Sequence, residues 1–151
     1  MKPLSTGKQI LYIVAVSLVV SIIAAFVHPK RPSWYRVASA EELRWQIDET
    51  KAKEILETSE VLLIDARERE MFEKAHLNGA ILLNLGEWSD LMFQHMETLQ
   101  DAFERPVLVY CDTQTCGKSH EIAKRLRELI GLDPVYVLFG DWRALENSLS
   151  P

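Results

Sequence analysis

Four short apolar runs recur between residues 61 and 138: Val61-Leu62-Leu63-Ile64, Ala80-Ile81-Leu82-Leu83, Val107-Leu108-Val109-Tyr110 and Val135-Tyr136-Val137-Leu138. A run of four residues with no polar member suits a strand covered on both faces. The chain between the runs is too long for hairpins and carries helical patterns, and such alternation predicts a mainly parallel sheet with helices on both of its faces. Helices are expected from near Ala40, over Glu68 to Lys74, over Trp88 to Phe103 and over Ser119 to Ile130, with a short final one reaching about Asn147. The first opens on the capping box Ser39 and Glu42 and places Leu43 and Ile47 on one face; Lys51 to Glu57 continues it or forms a second piece. Leu91, Met92, His95, Met96 and Leu99 form the apolar face of the third, and Gly131 stops the fourth.

A different pattern precedes this domain. Ile10 to Val27 holds no charge, no Gly and no Pro, and its 18 residues would reach roughly 27 Å as a helix, close to a hydrocarbon core of about 30 Å. The run is longer than the apolar core of a signal peptide, about 7 to 15 residues, and no small-x-small cleavage site follows it, so it is read as an uncleaved transmembrane helix. The expected organisation is a tail over 1–9, a transmembrane helix over 10–27, a linker over 28–37 marked by Pro29 and Pro32, and one α/β domain over 38–149. The expected location is therefore a membrane, crossed once, with lipid and a membrane protein as expected neighbours. Lys2 and Lys8 lie before the helix, and Lys30, Arg31, Arg36 and Arg44 follow it. That balance favours a cytoplasmic domain by a small margin.

The 151 residues suffice for one ordinary core, and the net charge of -5 is spread over interspersed acids and bases. No basic stripe is present to track a phosphate backbone, so nucleic acid is not expected as a partner.

Ligands of parallel sheets sit at the carboxyl ends of strands, and Asp65, Cys111 and Phe139-Gly140 fall at those ends. Cys111 follows the third run and opens a short polar stretch, Asp112-Thr113-Gln114-Thr115-Cys116-Gly117-Lys118, before the next helix. Loop amides and a helix start aimed at one sulfur lower a thiol pKa from about 8.5, which makes a nucleophile at neutral pH. The alternative is a buried cysteine acting as a small apolar residue.

The segments Ile64-Asp65-Ala66-Arg67, Ala75-His76-Leu77-Asn78-Gly79-Ala80, Val109-Tyr110-Cys111 and Val137-Leu138-Phe139-Gly140-Asp141-Trp142 together resemble a rhodanese-homology domain over roughly residues 38 to 149. The resemblance implies a rhodanese-like α/β fold and sulfurtransferase chemistry without a cofactor. Cys111 would take a sulfane sulfur from a donor and carry it as a persulfide to a thiol or other nucleophilic acceptor, with residues 112–118 as the active-site loop. Many loops of that family supply an arginine for an anionic donor. This one contains none and begins with Asp112, which argues against thiosulfate.

Other chemistries compete for the same residues. Cys116 lies five positions after Cys111 and can act as a resolving thiol, which would make the site redox-responsive, or can simply pack. Cys111, Cys116 and His120, with His76 as a fourth, have a spacing that zinc accepts. A phosphatase would place an arginine where Gly117 stands. Asp65 and Arg67 are expected to support the loop structurally, and the alternative to an enzyme is a noncatalytic binding or redox-sensing module using Cys111 and Cys116.

Overall fold

The computed structural model describes residues 6–27, 40–112 and 117–148. The chain divides into two units, Met1–Arg36 and Val37–Pro151. The first contains α1 (Thr6–Val27). Side chains are described over residues 7–21 of it, and every one is exposed, including Leu11 and Tyr12 at 70%. The helix expected over Ile10 to Val27 is thus present, but among the described residues no helix is long and apolar enough to cross a membrane. The transmembrane assignment is therefore not part of the observed fold. The linker expected over 28–37, and Ser39 of the capping box, lie outside the described residues.

The second unit runs α2 (Ala40–Arg44), β1 (Gln46–Asp48), α3 (Glu49–Thr58), β2 (Leu62–Asp65), α4 (Arg69–Lys74), β3 (Ile81–Leu82), α5 (Trp88–Gln94), α6 (Met96–Gln100), β4 (Val107–Tyr110), α7 (Gly117–Arg125), a π turn (Leu126–Ile130), β5 (Val135–Phe139) and a closing 3₁₀ turn (Trp142–Ser148). All five strands pair in parallel in the order β1-β5-β4-β2-β3, so β4 is central. Every residue of β2 and β4 is buried, as their apolar runs require.

The alternation of side chains along the strands splits the core in two. Leu62, Ile64, Val107, Val109, Val135 and Val137 face Leu91 of α5, Leu99 of α6 and Ile122, Ala123 and Leu126 of the α7 region. Leu63, Leu108, Tyr110 and Leu138 point the other way, onto Ala52 and Leu56 of α3 and onto Trp142 and Leu145 of the closing turn. Helical cover on both faces is what the fully apolar strands predict.

Three expectations are corrected. Ile47 is not on a helix face; it sits in β1 paired with Leu138, and α3 starts afresh with the Asp48 carboxylate capping Lys51 N–H at 2.8 Å. A three-residue edge strand is too short to show a period of two. The helix expected over Trp88 to Phe103 breaks at His95, which lets both Leu91 and Leu99 bury into one core while Met96 turns out, 48% exposed. The helix from Gly117 widens into the π turn before Gly131, at φ +83°, ends it.

Candidate functional site

The parallel order brings Asp65, Tyr110 and Phe139, the last residues of β2, β4 and β5, to one edge of the sheet. Cys111 follows Tyr110 there, half-buried, and it is disulfide-bonded. Thr113, Gln114, Thr115 and Cys116 lie outside the described residues. Gly117 and Lys118 form the first turn of α7, so the segment from Cys111 to α7 runs from the central strand to a helix start.

Beneath this edge lies a buried charge network. Asp65 is fully buried and Arg67 is 4% exposed. Two residues apart at a strand end, they form a close ion pair: Arg67 Nε donates to both Asp65 oxygens at 2.9 and 3.0 Å, and Nη2 donates to Oδ2 at 2.6 Å. The Arg67 backbone N–H also donates to Asp65 Oδ1 at 3.0 Å. The remaining guanidinium reach joins distant segments, since Nη2 donates to the Ala75 carbonyl at 2.6 Å and Nη1 to Asp112 Oδ1 at 3.0 Å. Burial opposes the Arg67 charge, but hydrogen bonds and attraction from Asp65, then Asp112, overcome it and hold the guanidinium pKa above its usual value.

Aromatic rings close the network. Arg67 Cζ lies 4.6 Å from the Trp142 ring centroid and 5.9 Å from that of Tyr110. Trp142 Nε1 donates to Asp112 Oδ1 at 3.4 Å, and the Tyr110 hydroxyl accepts Leu77 N–H at 3.1 Å. Burial, with Asp65 nearby, pushes the Tyr110 phenol pKa up, so it stays neutral. The Asp112 carboxylate is thus tied to Arg67 and Trp142, which offsets the repulsion that a carboxylate next to Cys111 would otherwise exert.

The rim carries further pairs. Lys118 Nζ bonds Glu68, both largely exposed, and Arg69 Nη2 bonds Glu87 at 2.6 Å. Glu87 is also held by Asn84: the Glu87 N–H donates to Asn84 Oδ1 at 2.8 Å, and hydrogen bonds from Arg69 and Asn84 keep the Glu87 carboxyl below its ordinary range. Across the edge, Glu49 Oε1 accepts Asp141 N–H at 2.7 Å. A Cβ on Gly140, at φ +153°, would fall 2.5 Å from that same oxygen, which explains glycine at this turn.

A family model described as Rhodanese-like domain matches residues 48–148. The chain belongs to the rhodanese-like domain family. The chain is also similar to solved structures. A protein from Lactobacillus plantarum is 18% identical, covers 74% of this chain and 89% of its own, and has a TM-score of 0.48. The N-terminal domain of a protein described as ATP/GTP-binding, from Clostridium difficile 630, is 20% identical over 67% of this chain and 95% of its own, with a TM-score of 0.44. No curated protein matches the chain.

In this rhodanese-like domain the sheet brings Asp65, Arg67 and Asp112 together below the edge where Cys111 sits. Among the described residues no three His, Cys, Asp or Glu side chains are placed to hold a metal ion, and Cys116 of the zinc set lies outside them. His76 instead stacks on Phe72 at 3.9 Å, with Nδ1 2.8 Å from the Phe72 carbonyl oxygen. The roles of Trp142, Glu49, Asn84 and the Ala75 carbonyl at this edge have no sequence signature, beyond Trp142 closing the Phe139-Gly140-Asp141-Trp142 segment.

Proposed function

We propose that the chain is a membrane-tethered sulfurtransferase or persulfide carrier whose working group is Cys111. The observation that carries this is the position of Cys111, directly after the central strand of a rhodanese-like sheet and at the start of the segment leading to α7. In the reduced protein the Cys111 thiolate attacks the outer sulfur of a donor R–S–S⁻, the S–S bond breaks, and RS⁻ leaves with the electron pair. A thiolate acceptor then attacks the outer sulfur of the Cys111 persulfide, and the Cys111 thiolate leaves. The nine-residue helix α7 has no acidic residue in its first turn, so its positive end favours both anionic sulfurs.

The donor class follows from the surrounding charge. Arg67 is committed to Asp65 and Asp112, Lys118 to Glu68 and Arg69 to Glu87. A dianion such as thiosulfate must compete with those carboxylates, whereas an organic persulfide or a polysulfide needs less cationic support. Mass spectrometry of the reduced protein after exposure to polysulfide should find one added sulfur on Cys111, lost in Cys111→Ser. Unlabelled Cys111 would remove the carrier reading and leave a binding or redox-sensing module.

The tether rests on α1. Ile10, Leu11, Ile13, Leu18, Val19 and Val20 are each more than half exposed within the chain, an apolar surface that water alone covers at high cost. Lipid is the cover proposed for it, with the domain on the cytoplasmic side. The full chain should stay with membranes through alkaline extraction and a chain lacking residues 1–36 should not; release of the full chain into the soluble fraction would overturn the tether.

A further inference from the structure

We propose that Arg67 Nη1 and Trp142 Nε1 form an anion site at the sheet edge that the chain fills with its own Asp112 carboxylate, and that Asp112 thereby restricts Cys111 to sulfur donors without a dianionic head. The selection of donors rests on Cys111 being the sulfur carrier; the anion site does not.

Three observations converge on Asp112. Two donors meet at one atom, Asp112 Oδ1, which lies 3.0 Å from Arg67 Nη1 and 3.4 Å from Trp142 Nε1. The guanidinium is built in: Arg67 is 4% exposed and Asp65 grips it through Nε and Nη2, so the direction of its Nη1 edge is fixed. The Asp112 side chain, by contrast, is 33% exposed, so the place its carboxylate occupies is reached from solvent. Oriented N–H groups on an oxyanion, with a way in from water, are what a carboxylate or sulfonate site consists of. Here the residue after Cys111 supplies the anion. Charge acts in the same direction, because Asp65 and Asp112 share one guanidinium and the network keeps a net negative charge next to Cys111. Thiosulfate brings two negative charges and finds the seat for its sulfonate taken. Donors whose charge is confined to the attacked sulfur, such as R–S–S⁻ with a neutral R, need no such seat. With Asp112 cut back to alanine, the two N–H groups receive the sulfonate oxygens of thiosulfate while the Cys111 thiolate attacks its outer sulfur. The S–S bond breaks, sulfite leaves with the electron pair, and Cys111 carries the persulfide.

The test uses the full chain, reduced and in detergent, as wild type, Asp112→Ala, which removes the carboxylate, and Asp112→Asn, which keeps an oxygen for both donors but removes the charge. Sodium formate at about 0.1 M, whose anion has the size of the missing group, should raise the melting temperature of Asp112→Ala by about 2–4 °C over sodium chloride at equal ionic strength and leave the other two unchanged. Persulfide formation on Cys111 is then timed with thiosulfate and with methanethiosulfonate, a monoanion in which a methyl group replaces one oxygen. The ratio of the two rates cancels any general effect of a substitution on the thiol or on folding. It should rise at least about tenfold in Asp112→Ala and by less in Asp112→Asn, where the charge is gone but the site is still filled. Equal rises in the two variants would reduce Asp112 to plain repulsion and overturn the site. An unchanged ratio, or no formate shift, also overturns it, while methanethiosulfonate labelling of Cys111 keeps the carrier reading standing. If no donor labels Cys111 in any of the three proteins, the carrier reading and donor selection fall together, and the formate shift alone decides the anion site.

Discussion

Arg67→Met should destabilise the domain by about 3–5 kcal/mol, which lowers its melting temperature by roughly 10–20 °C. Methionine keeps much of the apolar stem, so the effect isolates the charge and its donors. What remains after the substitution is an Asp65 carboxylate that is fully buried, an Ala75 carbonyl without its guanidinium donor, and an Asp112 left, among the described residues, with the 3.4 Å bond from Trp142. An uncompensated buried charge is the expensive outcome, whereas removing both charges together is much cheaper. The double variant Asp65→Asn with Arg67→Met should therefore be more stable than Arg67→Met alone. Chemical denaturation of the three proteins checks both points, and an Arg67→Met domain within about 1 kcal/mol of wild type would show that the network is not a stabilising element.

Trp142→Ala is expected to cost about 3–5 kcal/mol by a different route. The ring is 1% exposed, packs 5.7 Å from Tyr110 and lies over the Arg67 guanidinium, so its removal opens a cavity at the edge of the sheet. It also takes away a donor to the residue after Cys111. Trp142→Phe separates the contributions: a ring of similar shape fills most of the space and should cost about 1–2 kcal/mol, largely from the lost N–H. Because Arg67 and Trp142 share Asp112, Arg67→Met with Trp142→Ala should fall short of the sum of the two single losses. Equal losses for Trp142→Ala and Trp142→Phe in denaturant melts would contradict the cavity argument.

The two variants also bear on why Asp112 is tolerated beside Cys111. In sequence, a carboxylate adjacent to the thiol argues against a thiolate. In the folded chain that carboxylate is turned toward Arg67, 45 positions away, and Trp142, 30 positions away. Both partners are recruited by the sheet, and no spacing in the sequence announces them.

What the sequence by itself determined were features set by neighbouring residues. The apolar runs ending at Ile64, Leu83, Tyr110 and Leu138 needed cover on both faces, the helical stretches between them forced parallel crossovers, and Cys111 was thereby placed at the carboxyl edge of the sheet. Tertiary structure alone decided the rest. Gln46–Asp48 became a strand only because β5 offered an edge, the helix expected through His95 broke so that Leu91 and Leu99 could share one core, and the cations near Cys111 acquired acidic partners. Periodicity reports how a segment meets a surface, but pairing between segments depends on which surfaces the packed sheet finally brings within hydrogen-bond reach.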